Sequence, residues 1–469
     1  MAVHQRKFEM LCAAMLGFGQ LCIMTSFDSG GFILEPVIHS IHEREPLTIS
    51  PYAGYYGQAV LYAAYMITCL FSPSIIAVTN PKIILVISAV FFTSLPVGFL
   101  FINAYYFYFS SILLGVGLAF FYQGQGSYVM SHSTRETIES NVSLTLSVAC
   151  CCMIFGSMIL ATITRLSVDS TMIEAWNVTE LSHKVERRFS DMEITLLFTA
   201  FTAISALGII TFFFIPSKDV DNCIESSEKK GSFTNAFKLT CRTAVSPKMV
   251  QLIPLFVLCG LNTSFWMSVF PTALNFTMHN SNLIYLPAFY SFGVGTGEVF
   301  MGIVVSFLSK QINDFGQKPA MLIAAVCTVT YCTLIHLSTA FDAPIRPTHS
   351  EPILFYHSYG FVLIIAFICG MGDCCINSVR SVICALAMPE RRAQAFSVSK
   401  LYQALGSCVL FFLSPITPLY VYTTGLPILA IIATILFFSI AKSTKTMERK
   451  LTVEKMTQKG SSNENELKF

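Results

Sequence analysis

The chain has 469 residues, 54% of them hydrophobic and 12% charged, with a formal net charge of +2 and a mean hydropathy of +0.63. That balance excludes an ordinary soluble domain; the net charge by itself says little, because the basic residues are distributed by topology and form no surface for nucleic acid. Apolar runs recur along almost the whole length, and in lipid each must satisfy its own backbone, so each is expected to be a helix.

The first run, residues 8–27, follows Arg6 and Lys7 and is too long for a signal-peptide core. It reads as the first membrane span. Five more follow at residues 55–78, 83–102, 105–130, 142–163 and 194–215. A polar stretch at 216–248 then interrupts the pattern and carries Lys218, Lys229, Lys230, Lys238, Arg242 and Lys248. Six further runs occupy 249–270, 283–308, 320–340, 356–387, 395–413 and 422–441. Most are close to the roughly twenty residues a helix needs to cross a bilayer. The expected fold is an all-α polytopic membrane protein of twelve transmembrane helices. Two six-helix halves, 1–215 and 249–441, are joined by a basic cytoplasmic linker, 216–248, and a polar cytoplasmic tail follows at 442–469.

With the N-terminus in the cytoplasm, the connections on that side carry Lys82, Arg135, Lys310, Lys318, Arg391 and Arg392 besides the linker and tail. Most positive charges on the other side sit in longer loops, where they weigh less on orientation. Both termini are therefore expected inside, in a plasma or endolysosomal membrane. Two sequons, Asn177-Val-Thr179 and Asn275-Phe-Thr277, then lie outside as expected glycosylation sites. The linker is expected to be a solvated segment.

Most of the sixteen cysteines fall within spans and none in an outer loop, which implies no disulfide framework. Cys150, Cys151 and Cys152, like Cys374 and Cys375, read as small packing residues. His39-Ser-Ile-His42-Glu43 has helical ligand spacing but falls in an expected outer loop, and no metal is expected there. The chain has no Gly-Lys-Ser/Thr phosphate loop, no His-Glu-x-x-His and no nucleophile elbow, so neither an enzyme nor a cofactor is expected. Gly293-Val-Gly-Thr-Gly297 lies inside an apolar span and reads as close helix packing.

Ionisable groups inside spans carry more weight, because each is costly in lipid unless paired, hydrated or used. Glu298 lies near the middle of the eighth span, and Asp373 shares a helical face with Asn377 and Arg380 in the tenth. That face is expected either to meet water or substrate, or to lock helix packing with Arg380 snorkelling outward and neutralising Asp373. For Lys400 and Gln403, near the start of the eleventh span, snorkelling is sufficient explanation.

A repeat joins the halves. Leu114-Gly-Val-Gly117, followed by the loop around Arg135, matches Cys369-Gly-Met-Gly372, followed by the loop around Arg391. Two halves of this kind resemble the major facilitator superfamily. Ser72-Pro-Ser-Ile-Ile-Ala-Val78, Asn80-Pro81-Lys82 and Leu114 to Tyr128 resemble its Unc-ninety-three-like branch. Gly293 to Glu298, Phe341 to Pro347 and Gly370 to Asn377 resemble the sub-branch of major facilitator domain-containing protein eleven. The likeness runs from the first span to the eleventh.

The resemblance implies that the first, fourth, seventh and tenth spans line a central cavity, whose polar residues are then Gln20, Gln123, Gln125, Asn262, Asp373 and Asn377. It also implies a gating signature between paired helices, which is degraded here to Gly316 and Lys318, with Asn313 in place of its acid. Two functions stay open. One is a secondary transporter of a small solute with Glu298 or Asp373 taking up a proton; the other is a non-transporting subunit of an ion channel or membrane receptor.

Overall fold

Helix starts follow from local side-chain chemistry. Asn80 accepts a hydrogen bond from the Lys82 N–H at 2.9 Å, with Pro81 at the first helical position. Asn103 accepts from Tyr106 N–H at 3.1 Å, Ser190 from Glu193 N–H at 3.1 Å and Ser358 from Phe361 N–H at 3.3 Å. Each satisfies one of the donors that a helix start leaves without an intrahelical partner.

The computed structural model describes the backbone of residues 2–175, 189–226, 231–312, 315 and 317–466, and side chains within 4–167, 189–226, 231–309, 311–312, 315 and 317–442. Among the described residues twelve helices are long and apolar enough to cross a membrane. The first six spans are His4–Arg44, Ala53–Ile76, Pro81–Gly98, Ala104–Ser131, Ile138–Ser167 and Asp191–Phe214. The second six are Ile253–Phe276, Leu286–Ser309, Lys318–Ser338, Tyr359–Ala387, Arg392–Ile416 and Leu419–Lys442. The last of these helices continues to Glu466.

The first span differs most from expectation. At 41 residues it is about 60 Å long, roughly twice the thickness of a bilayer core. A hydropathy reading stops at Phe27 because Asp28 and Glu35 interrupt the apolar run. The chain stays helical through both because the protein supplies partners for them. His39 and Glu43 consequently sit on the helix, with Nε2 and Oε1 3.7 Å apart, and not in a loop.

The internal repeat is visible in packing. In the first half the main pairings are span 1 with 5 and 6, 3 with 6, and 2 and 3 with 4; each recurs six spans later as 7 with 11 and 12, 9 with 12, and 8 and 9 with 10. The halves meet along two seams, span 2 against 11 and span 5 against 8.

The linker is partly docked, unlike the solvated tether expected. Its helix, Phe233–Ala244, packs on spans 2 and 11, one from each half. Phe237 stacks on Phe71 with ring centroids 5.1 Å apart, and the Tyr402 hydroxyl donates to the Ala244 carbonyl at 3.3 Å. The helix therefore bridges a seam on the linker side of the bundle.

Candidate functional site

Two spans depart from regular α-helix in mid-course. Span 5 is broken at Cys150 and Cys151, between helical segments Ile138–Ala149 and Cys152–Ala175. Span 7 takes a π-helical turn at Phe265–Val269. Irregular backbone at membrane depth is tolerated only where protein or a water-filled cavity satisfies it, and π-turns are frequent at functional sites. Both breaks do have partners: Thr25 Oγ1 donates to the Cys152 carbonyl at 3.2 Å, and the Tyr290 hydroxyl to the Trp266 carbonyl at 2.6 Å.

Each irregularity faces an acid. The Cys152 thiol donates to Asp28 Oδ2 at 3.5 Å. The π-turn aims Trp266 Nε1 at Asp373 Oδ1, 2.9 Å away, and the same oxygen accepts from Asn262 Nδ2 at 3.3 Å and Thr263 Oγ1 at 3.1 Å. Asn377 Nδ2 donates to Asp373 Oδ2 at 2.7 Å. Asp373 thus receives four donors from spans 7 and 10, and Tyr331 adds a short hydrogen bond to Asn262 Oδ1.

Arg380 does not touch Asp373. Its Nη2 donates to Asn377 Oδ1 at 3.1 Å and its Nη1 to Ser399 Oγ at 3.2 Å, so Asn377 stands between the charges as a relay. Nor does Arg380 snorkel: it is 3% exposed. Lys400 also departs from expectation. It lies about 12 Å in from the start of its span, is 5% exposed, and rests its ammonium 3.9 Å from the centre of the Tyr122 ring. Both cations point into the bundle because Phe396 and Tyr122 offer ring faces there.

The sequence reading identified Asn262, Asp373, Asn377 and Arg380, and the structure brings them together. Gln20 and Gln125 also meet, Nε2 of Gln125 donating to Oε1 of Gln20 at 2.6 Å, whereas Gln123 reaches across to the Ala393 carbonyl at 3.5 Å. Glu298 lies within electrostatic reach of Asp373 and Asp28, and its carboxylate has no hydrogen-bond partner among the described residues. Asp28 and Lys400 were missed as site residues. The signal for Asp28 was an ionisable residue on the helical continuation of an apolar run, and for Lys400 one inside an expected span.

A cavity of about 480 Å³ opens on the linker side, and it borders this cluster through Tyr122 and Phe396, whose rings carry Lys400 and Arg380. Tyr122, Gln123, Gln125 and Phe396 line it beside apolar residues such as Ile76, Val129 and Leu146. The far side is sealed. Phe32 meets Tyr290 edge-on at 5.3 Å and Trp266 at 6.1 Å, all buried. Glu35 accepts the Tyr55 N–H at 2.8 Å, and the Tyr55 hydroxyl crosses between halves to the Pro344 carbonyl at 2.8 Å. A hydrogen bond in a membrane protein is worth about 0.6 kcal/mol on average, so Tyr55→Phe is expected to favour far-side opening about threefold. Spin-label distances between Leu47 and Ile353, on exposed far-side loops, measure it; an unchanged distribution would show that this contact does not hold the seal.

Among the remaining expected residues, Asn177 lies outside the described residues, as do Asn313 and Gly316 of the degraded signature. Asn275 is half-buried on the last turn of span 7 and donates to the Pro271 carbonyl at 2.8 Å. All sixteen cysteines are free. No cluster of three or more metal-ligating side chains occurs among the described residues.

Comparisons agree with this architecture. The chain is 26% identical over 461 residues to the UNC93-like protein MFSD11 of Xenopus tropicalis, covering 94% of this chain and 97% of that one, and equally similar to its counterpart in Xenopus laevis. In fold it resembles the peptide transporter POT crystallised with sulfate, with a TM-score of 0.61 at 14% identity over 92% of this chain and 94% of that one. It also resembles the nucleoside transporter NupG, with a TM-score of 0.56 at 14% identity over 92% and 98%. At such identities these two show the fold alone, that of a major facilitator transporter. The family described as ion channel regulatory protein UNC-93 matches residues 45–438, most of the chain, and the protein therefore belongs to the UNC-93 family of multi-pass membrane proteins.

Proposed function

We propose that the protein is a secondary transporter that moves a small solute by rocking its halves about the seams between spans 2 and 11 and spans 5 and 8. The observation that carries this reading is the cavity, open on the linker side and closed on the far side, with Tyr122 and Phe396 in its wall and the buried Arg380 and Lys400 behind those rings. A one-sided cavity with its polar site at mid-depth is what alternating access requires of each half-cycle. The structural neighbours named as peptide and nucleoside transporters support the same reading.

Coupling to protons is assigned to Glu298, with Asp28 beside it. Protonating Asp373 would break into four hydrogen bonds, whereas Glu298 accepts none among the described residues and Asp28 only that of a thiol. Glu298→Gln is expected to leave the protein folded while solute flux into proteoliposomes loses its dependence on an imposed proton gradient, because a charge that must come and go has been made permanent neutrality. Gradient-dependent flux preserved in both Glu298→Gln and Asp28→Asn would remove these acids from the mechanism.

A second reading is favoured by the family's description and by the degraded gating signature: a subunit that regulates an ion channel or accompanies a membrane receptor. In that case reconstituted protein carries no solute, and channel currents change when it is co-expressed. Either function is assigned to a chain with cytoplasmic termini and sugar on Asn177, Asn275 or both, as the positive charge of the linker side supports. Removal of both sequons is expected to abolish a glycosidase-sensitive gel shift. A shift that survives would reverse the orientation.

A further inference from the structure

Two buried cations behind the cavity wall lack a counter-ion. Arg380 spends two of its nitrogens on the neutral acceptors Asn377 and Ser399, and its Nε has no partner. Lys400 has the ring of Tyr122 at 3.9 Å and no ion pair among the described residues. Both lean on one ring, that of Phe396, at 5.2 and 6.0 Å from its centre. Asp373, the nearest fixed negative charge on the same helix face, is already occupied by donors from Asn262, Thr263, Trp266 and Asn377. A ring face offsets only part of the cost of burying a charge, and neutral acceptors offset little more. Two adjacent cations left in this state call for an anion from outside the chain.

The position of the pair says where that anion enters. Tyr122 and Phe396, which carry the cations, are also walls of the linker-side cavity. The rest of the lining is mixed: the apolar Pro73, Ile76, Val129, Met130 and Leu146 stand with polar residues that include Glu225 and Arg392. We infer that the solute is an organic anion, its carboxylate, phosphate or sulfate head held between Arg380 and Lys400 and its apolar body lying along this wall. The inference deepens the transport reading and rests on it. A guanidinium with a free N–H and an ammonium with mobile donors are together suited to an oxyanion, which either could bind alone only weakly.

Benzoate, its neutral isostere benzamide and the cation benzyltrimethylammonium are the probes. Trp266 reports from within the cluster, and Trp176→Phe removes the other of the chain's two tryptophans. In purified protein in phosphatidylcholine nanodiscs, benzoate is expected to shift Trp266 emission saturably and raise the melting temperature; benzamide and the cation are not. Lys400→Gln and Arg380→Gln are each expected to weaken benzoate binding about tenfold or more, and Lys400→Arg to retain it. Benzamide binding as well as benzoate, or undiminished benzoate binding in folded Lys400→Gln and Arg380→Gln proteins, overturns the site. Should those variants fail to fold, the comparison of the three probes on the protein with native cations decides alone. Repeating the titration with phosphatidylglycerol in the disc names the source: competition assigns the site to a lipid headgroup, its absence to a soluble anion. Benzoate binding without flux of any anion keeps the site and removes the transport reading. Flux of a neutral solute, untouched by either cation variant, keeps transport and overturns the anion.

Discussion

Asp373→Asn is expected to destabilise the protein by about 3 kcal/mol, and adding Arg380→Gln to recover much of that loss. The substituted amide can keep its oxygen toward Asn262, Thr263 and Trp266, which all donate. Its NH2 then confronts the NH2 of Asn377, where the wild type has a 2.7 Å hydrogen bond. Flipping Asn377 only moves the conflict to Arg380, which also donates and has nothing to accept with. Removing the nearby negative charge leaves the buried guanidinium still less compensated. Arg380→Gln supplies an oxygen that can accept from the flipped Asn377, so the relay runs in reverse and is again satisfied. The melting temperatures of the two singles and the double form a cycle, with an expected coupling on the order of 1–3 kcal/mol. Asn377→Ala should abolish that coupling, since the two charged residues do not touch. Additive losses in the cycle would sink the relay.

The second large effect is expected from Gly115→Ala and Gly370→Ala, which occupy equivalent positions in the repeated motif. A Cβ on Gly115 would stand 2.1 Å from the Leu61 carbonyl oxygen in span 2, and one on Gly370 2.1 Å from the Val294 carbonyl oxygen in span 8. Both obstacles are backbone, so no rotamer change relieves them, and spans 2 and 4 or 8 and 10 must separate. Overpacking of a tight core costs roughly 1–3 kcal/mol and sometimes more, and backbone obstacles place these at or beyond the upper end. Each is expected to reduce the yield of monodisperse protein severalfold. Gly425→Ala is the control: its Cβ would meet nothing within 4 Å, and a helical Gly-to-Ala change is worth up to about 1 kcal/mol of stability. Normal yield of either motif variant would mean that the spans are less closely packed than described.

The motif pair shows what made the fold legible. Leu114-Gly-Val-Gly117 and Cys369-Gly-Met-Gly372 recur because the same helix pairs approach backbone to backbone in each half, and that demand is written locally as an absent side chain. Gly297, with the Phe367 carbonyl oxygen 2.2 Å from a would-be Cβ, bears out the packing reading of Gly293 to Gly297 in the same way. Span number and the halves follow from runs of apolar residues, which respond to lipid one residue at a time.

By itself, then, the sequence determined twelve helices in two related halves, the glycines on which they close, and one helical face carrying Asp373, Asn377 and Arg380. These depend on hydropathy and on helical geometry, both properties of neighbours in the chain. Only the tertiary structure decided that the first span continues through Asp28 and Glu35, that Lys400 points inward onto Tyr122, and that Asp373 is filled by residues of span 7. A polar side chain that would end a span in isolation is retained when another helix supplies its partner, and that partner is separated by over a hundred residues in the case of Asp28 with Cys152 and of Asp373 with Trp266. Hydropathy measures what each residue would prefer in water or lipid, while burial in the bundle replaces both with specific donors, acceptors and rings from distant spans.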